Sequence, residues 1–518
     1  MLCVDKEKYR SEWEPYSFQK SEGRFSSTDE IKENYFRINP DNETYKHGGL
    51  PVLVDDEGIY VNKETEMTLI FGETGSKKTR CLISPLICNL AKAGESMVIM
   101  DVKGELSGGA LSSKIRGVLE ENGYNTIFLN FRDLNADCFN ILLIAYNLYK
   151  QGEIDRAMSE VSSIVNTLAS VYNGTRADPF WTQMATAFLM AITFLVFETA
   201  PSDAEINMLT IASYTSEEAA SNLLQLETLI DEKDSSIMTM LRSVLSAPEK
   251  TRQSILASAA AFLQVFLNNE TLATMLGQNT FKLEEIHEEK TALFVILPDE
   301  VNTYDEIAGL IMRQISGFLV TAAYNNGGTL KRRVNFIYDE FCNIFSGDGS
   351  IGRALSTHRS RNIRYYLVCQ GLEQLKTVHP RDYATILTNS KNIYYLNSSD
   401  RELLKYLSEG SGVTYENTNE VAKPLISIYD LQTLKKSWEN VECYIKSGNM
   451  QFVTKLPDID QYKYLDKFKG TYVIPTRTQK PLKVYNSSDM LYDIKHKIRK
   501  ISFKRKRTPL QSKRRLFN

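Results

Sequence analysis

The sequence predicts an α/β chain built on a mostly parallel sheet and interrupted by a long all-helical insertion. Three observations lead there. Short apolar runs alternate with helical stretches over residues 46–144 and again over 289–475. This is the rhythm of strand–helix–strand units that pair in parallel. Between them, residues 145–288 carry helical periodicity and few β-branched runs. Where the first strand meets the first helix stands a glycine-rich loop, one residue away from the phosphate-binding pattern G-x-x-x-x-G-K-[ST].

That loop comprises Gly72, Glu73, Thr74, Gly75, Ser76, Lys77, Lys78 and Thr79, with Arg80 next. The apolar run 67–71 before it reads as a buried strand, and 80–93 after it as a helix. In such a setting, backbone N–H groups and the helix N-terminus wrap a nucleotide's phosphates. Lys78 is expected to reach the β and γ phosphates, and Thr79 to ligate Mg²⁺. Lys77 stands where the pattern has glycine. Further strands are expected at 97–101 and 126–130, with a helix near 106–121 between them.

In the insertion, helical runs are expected at 155–168, 180–198, 217–229 and 235–266. The stretch 181–197 holds no charge, but it falls just short of a membrane span and reads as a core helix. Strands resume at 292–297, 334–338, 364–369 and 392–396. The second of these ends in Asp339 and Glu340, and parallel sheets place ligands at the C-terminal ends of their strands. Asp339 is therefore expected in the Mg²⁺ shell, and Glu340 as the general base that polarises water. The strand 364–369 ends in Gln370, either a γ-phosphate sensor or a strand-capping amide. Arg353, Arg359, Arg361 and Arg364 precede it. One of them is a candidate arginine finger, and a nucleic-acid patch or a solvated face would use the same cluster.

At 518 residues the chain holds two or three domains, and 42% hydrophobic with 24% charged residues is ordinary for a globular protein. Seven scattered cysteines without a C-x-x-C, and five scattered histidines, argue against zinc and a disulfide framework. A reducing intracellular setting is expected. The first residues turn charged at once, unlike a signal peptide. Residues 1–45 read as a polar surface arm and 476–518 as a basic tail. Positions 495–518 carry eleven Lys and Arg and no acid, against a net charge of −3 for the whole chain. A basic tail on an acidic body points to an anionic partner (nucleic acid, lipid headgroups or an acidic protein) or else to a solubilising segment.

The order of motifs resembles the type IV secretion coupling proteins of the TraG/TraD kind, relatives of FtsK and other RecA-like translocases. The matching pieces are the loop 72–80; the run 99–106, with Asp101, Lys103, Gly104 and Glu105 similar to D-P-K-G-E-L; and 138–142. Others are 178–181 with Phe180 and Trp181, the box 338–341, and the stretches 355–370, 386–389 and 400–412. They span residues 45–415. The resemblance implies a RecA-like P-loop NTPase with an inserted all-α domain, assembled as a homo-hexamer. It implies ATP and Mg²⁺ as cofactors, with a DNA–relaxase substrate delivered to a secretion channel in conjugation. Within it, Arg359 is the candidate finger acting on a neighbouring subunit, beside Glu340 and Gln370 as catalytic residues. Asp101 and Lys103 stand beside the nucleotide, lie at a subunit contact or merely close a turn, and Trp181 is expected to be a packing anchor. Such proteins begin with transmembrane helices, which this sequence does not show, so recruitment to the inner face of the membrane is expected instead. Two alternatives stay open: a nucleotide-binding docking receptor with weak or no hydrolysis, favoured by Lys77, and a stand-alone FtsK/HerA-like DNA pump.

Overall fold

The computed structural model describes residues 23–109, 111–173, 179–227, 236–300, 304–343, 350–415, 422–470 and 472–497. Residues 498–518 of the basic tail, residues 1–22 of the arm, Asp178 and the Arg353 side chain lie outside them. A small antiparallel sheet comes first, from β1 (Phe36–Ile38), β2 (Pro51–Asp55) and β3 (Gly58–Val61). The central sheet then takes β4 (Thr68–Phe71), β5 (Ser96–Asp101), β6 (Asn125–Asn130), β7 (Thr291–Ile296), β8 (Val334–Asp339), β9 (Ile363–Cys369) and β10 (Asn392–Tyr395). After a short β11–β12 pair (Val413–Tyr415 and Ala422–Pro424), β13 (Asn440–Ser447) and β14 (Met450–Pro457) complete it. The spatial order is β14-β13-β10-β4-β9-β8-β5-β7-β6. From β10 to β6 every pairing is parallel, while β13 and β14 add an antiparallel edge. All seven parallel strands are those expected from the sequence; the edge hairpin is not.

Side-chain alternation divides the core between the two faces of this sheet. Leu69, Phe71, Val98 and Met100 join a cluster with the helical insertion. Ile70, Met97 and Ile99 face the other way, onto helices Ser84–Lys92 and Ser112–Glu121. The insertion leaves after β6 and returns at β7, two neighbouring parallel strands, so it is one very long crossover. Its principal helices are Ile154–Asn173, Pro179–Thr199, Glu217–Glu227, Ser236–Leu245 and Glu249–Phe262. The run 235–266 breaks at Pro248, whose ring removes an N–H and restrains the residue before it.

Two helices, Pro179–Thr199 and Asp305–Asn325, are long and apolar enough to cross a membrane by composition, and more than half of each is buried here. Residues 476–497, read from the sequence as the start of the basic tail, lie along the protein. Arg477 N–H donates to the Asn135 carbonyl, Tyr485 N–H donates to Thr210, and helix Ser487–Lys497 packs on Glu217–Glu227. Polar residues between its anchors masked this strap in the sequence, although Tyr485, Met490 and Ile494 bury their side chains in the core.

Candidate nucleotide site

The phosphate loop follows β4 at the middle of the sheet. A Cβ on Gly72 would lie 2.5 Å from Ser76 Oγ and 3.2 Å from the Lys78 side chain, so the close turn requires glycine there. Gly75 takes φ +79°, in the left-handed region glycine favours. The loop is tied down by Gly72 N–H to the Cys369 carbonyl and Glu73 N–H to the Asn397 carbonyl. The helix begins with a π turn over Thr79–Ile83 before becoming α-helical at Ser84–Lys92. Such turns recur at functional sites. Lys78 is buried, and its amine donates to the Gly72 and Glu73 carbonyls. Burial lowers its pKa, and the carboxylates of Glu340 and Asp339 offset this in part.

Strand order brings the second half of the site into place. β9 lies between β4 and β8, so Gln370 emerges between the loop and the Asp339–Glu340 pair. Asp339 Oδ2 accepts from Thr79 Oγ1 at 3.1 Å, and Gln370 Nε2 donates to Glu340 Oε2 at 3.0 Å. Glu340 has φ +87°, a conformation that costs a non-glycine residue free energy and is concentrated at working sites. Burial, with Asp101 and Glu340 adjacent, pushes the Asp339 carboxyl up to about 7. Asp101 is buried too, and its Oδ1 has no hydrogen-bond partner. Crowded carboxylates with an orphaned oxygen and a threonine hydroxyl make a donor set of hard oxygens, which suits Mg²⁺. Thr79 and Asp339 are the residues that would hold it.

Two loop residues face elsewhere. Lys77 adopts φ +69°, so the position does need the left-handed backbone that glycine supplies in the pattern. Its amine reaches Asp458 Oδ2 at 2.9 Å and the Trp438 carbonyl at 2.8 Å, rather than facing the phosphates. Arg80 pairs with the same Asp458 and with Asp460, which Lys114 also contacts at 2.8 Å. Burial would raise the Asp458 carboxyl, but Arg80 and Lys77 overcome that and hold it below its ordinary value. The sequence carries no signal for this cluster, since Lys77 and Asp458 lie 381 positions apart.

Of the arginines, Arg364 is fully buried and donates to the Gly48 and Lys63 carbonyls, which removes it as a finger. Arg359 is exposed and pairs with Glu66 at 3.2 Å, at the N-terminal end of β9 and so at the sheet edge away from its own loop. Asp101 accepts from Leu106 N–H, Ser107 N–H and Ser107 Oγ, closing an irregular turn that replaces the start of the expected helix, now Ser112–Glu121. Asp101 therefore closes a turn, and its charge also reaches Asp339. Lys103, exposed, lies near enough to depress the Lys78 amine. Trp181 packs partly buried against the core, edge-on to Phe180.

Residues 16–434 match the family described as type IV secretory system conjugative DNA transfer. The chain belongs to that family. Among solved structures it is similar to the conjugative coupling protein TrwB. The unbound form of TrwBdeltaN70 aligns with TM-score 0.57 and 15% identity, over 90% of this chain and 96% of that one. TrwB with ADP and Mg²⁺ aligns with TM-score 0.57 and 15% identity over the same shares. TrwB with the ATP analogue ADPNP gives 0.56 and 16%, again over 90% and 96%. These likenesses bear out the expected fold, a RecA-like α/β domain with an all-α insertion. No curated protein matches this chain by sequence.

Proposed function

We propose that this protein is the ATP-driven coupling protein of a conjugative type IV secretion system, moving a DNA–relaxase substrate toward the channel. The observation that carries the reading is the convergence of Lys78, Thr79, Asp339, Glu340 and Gln370 at one sheet edge, in a chain of the conjugative DNA transfer family. TrwB structures hold ADP with Mg²⁺ and ADPNP, which supports the same ligands here. Backbone N–H groups of 74–79 and the Lys78 amine bind the phosphates. Glu340, held by Gln370, takes a proton from the attacking water, and Gln370 couples that carboxylate to the γ-phosphate end of the site. Bound Mg²⁺ would supply charge neutralisation on the phosphate oxygens.

The working form is a homo-hexamer at the inner face of the cell membrane, with Arg359 entering a neighbour's site. The segment 495–518 contacts DNA or lipid through its charge. Robust hydrolysis is favoured over a silent receptor because a docking protein has no use for Glu340 beside Gln370. The test is ATP turnover with and without single- and double-stranded DNA, with Glu340→Gln as control. DNA-stimulated turnover that Glu340→Gln abolishes, with ATP still bound, is expected. Turnover indifferent to Glu340→Gln would overturn the assignment.

A further inference from the structure

Trp438 is the largest exposed apolar side chain at the nucleotide edge, 75% accessible, and it sits on a rigid turn rather than a loose loop. Ser437 N–H donates to the Asn440 carbonyl at 2.8 Å, and Asn440 N–H returns to Ser437 Oγ at 3.1 Å. Lys436 bridges to Val441 across the base of the turn, and Asp458 N–H donates to the Glu439 carbonyl. Every link holds the backbone and leaves the indole outside. Among the described residues, no aromatic ring or cation contacts it.

This turn is fastened to the phosphate loop twice. Lys436 Nζ donates to the Gly75 carbonyl at 3.3 Å, and Lys77 Nζ donates to the Trp438 carbonyl at 2.8 Å while gripping Asp458. Lys77 is the residue that stands in left-handed backbone where the pattern has glycine. A lysine there carries a conformational cost, and its amine holds the Trp438 carbonyl together with Asp458. Two lysines, one in the phosphate loop and one in the turn, thus fix the Trp438 backbone against that loop. A surface tip for DNA or for a protein would need no such register.

We infer that Trp438 is the base-stacking residue of the nucleotide site, offering its indole face to the purine of ATP. The inference rests on the nucleotide reading of the loop and adds where the base lies. Stacking on an aromatic face is sequence-tolerant, since every base has a π face, so adenine and guanine nucleotides are both accommodated. Lys77 and Lys436 are positioning residues for this contact.

The test separates base from phosphates. ATP and inorganic tripolyphosphate are titrated calorimetrically into the full chain, Trp438→Ala and Trp438→Phe. Trp438→Ala is expected to weaken ATP by about ten- to a hundred-fold, the range of a lost base–aromatic stack, and to leave tripolyphosphate unchanged. Trp438→Phe should recover most of the loss. In a chain with Trp13→Phe and Trp181→Phe, ATP should quench the remaining tryptophan fluorescence and tripolyphosphate should not. ATP affinity unaltered in Trp438→Ala overturns the inference. So does an equal loss of both ligands, which would mean a distorted loop, or a loss confined to DNA binding. If the parent protein binds neither ligand, the nucleotide reading itself fails.

Discussion

At the N-terminal end of β9, Arg364 is buried and its guanidinium is engaged on several sides, by the Gly48 and Lys63 carbonyls and the Tyr366 hydroxyl. Close by, Asn335 donates to Glu95 at 2.9 Å, and Arg333 lies 3.4 Å from the same carboxylate. At the C-terminal end of the neighbouring β8, Asp339 is buried among Asp101 and Glu340, with its pKa pushed upward and only Lys78 and Thr79 in compensation. The same sheet therefore hydrogen-bonds most of its buried charge at one edge, where Arg364 Nε still lacks a partner, and crowds carboxylates at the other. A buried charge with partners is compensated where it stands, whereas carboxylates crowded without enough cations favour a cationic ligand such as Mg²⁺. Backbone strain follows the same division, since Lys77 and Glu340, two of the three left-handed non-glycine residues described, lie at the crowded edge.

Arg359 is where this contrast is most exposed to failure. It sits at the closed edge of its own sheet, yet the proposed function sends it into a neighbour's open edge. An arginine finger can contribute about 10³–10⁵ in rate. Arg359→Ala should bind ATP as the parent does and lose turnover on that scale, with turnover per subunit in the parent rising with protein concentration or on DNA. Mixing Arg359→Ala with Glu340→Gln should restore part of the activity, because one boundary can pair an intact Glu340 with an intact arginine. A dead mixture of co-assembled variants would confine Arg359 to the surface pair with Glu66.

Two further variants sharpen the closed side. Arg364→Met removes a guanidinium and leaves carbonyls at Gly48 and Lys63 unsatisfied, which should cost about 3 kcal/mol of stability in denaturant titration. The ATP affinity of the folded fraction should not move; a variant that kept its stability and lost ATP would put Arg364 on the wrong side of the comparison. His358, hydrogen-bonded to Tyr365 at 2.7 Å, is pushed down to about 4 by burial and by Arg361. The unfolded chain protonates this imidazole near 6.5 and the folded one does not. Its contribution is therefore intact above pH 6.5 and lost as pH falls from 6.5 towards 4, at up to about 1.4 kcal/mol per pH unit. Thermal melts of His358→Gln should show a shallower acid slope than the parent in that window, and an identical slope would mean the ring titrates normally.

What the sequence revealed follows the same physics. The seven parallel strands were legible because both faces are buried, leaving unbroken apolar runs such as 334–338. Lys78, Thr79, Asp339, Glu340 and Gln370 were legible because each follows such a run. The β13–β14 hairpin was not, since on an edge half-buried Lys446 and Gln451 and exposed Lys455 dilute the pattern, although Gly448 at φ +58° marks its turn. Asp458 and Trp438 were illegible for a different reason. Their partners are side chains at the far end of the chain, and contact across 381 positions leaves no periodicity to read.

The smallest effect expected is at Lys77, and it probes what the open edge tolerates. A non-glycine residue in left-handed backbone costs about 1–2 kcal/mol, which Lys77→Gly would relieve. The same change deletes the amine that contacts Asp458, but Asp458 keeps Arg80, so its buried carboxylate is not left alone. The two terms nearly cancel, and the variant should unfold within about 1 kcal/mol of the parent. Tripolyphosphate should bind unchanged and turnover at saturating ATP should persist, because Lys78 and the loop's N–H groups are untouched. ATP affinity should fall by a few-fold at most, since Lys436 still fastens the Trp438 turn to Gly75. Asp458→Asn should do more damage than Lys77→Gly, as it removes the negative charge that Lys77 and Arg80 share. If Lys77→Gly instead abolishes tripolyphosphate binding, the loop has been rebuilt around its lysine, and the strain at this edge is a requirement of phosphate binding rather than a tolerated cost.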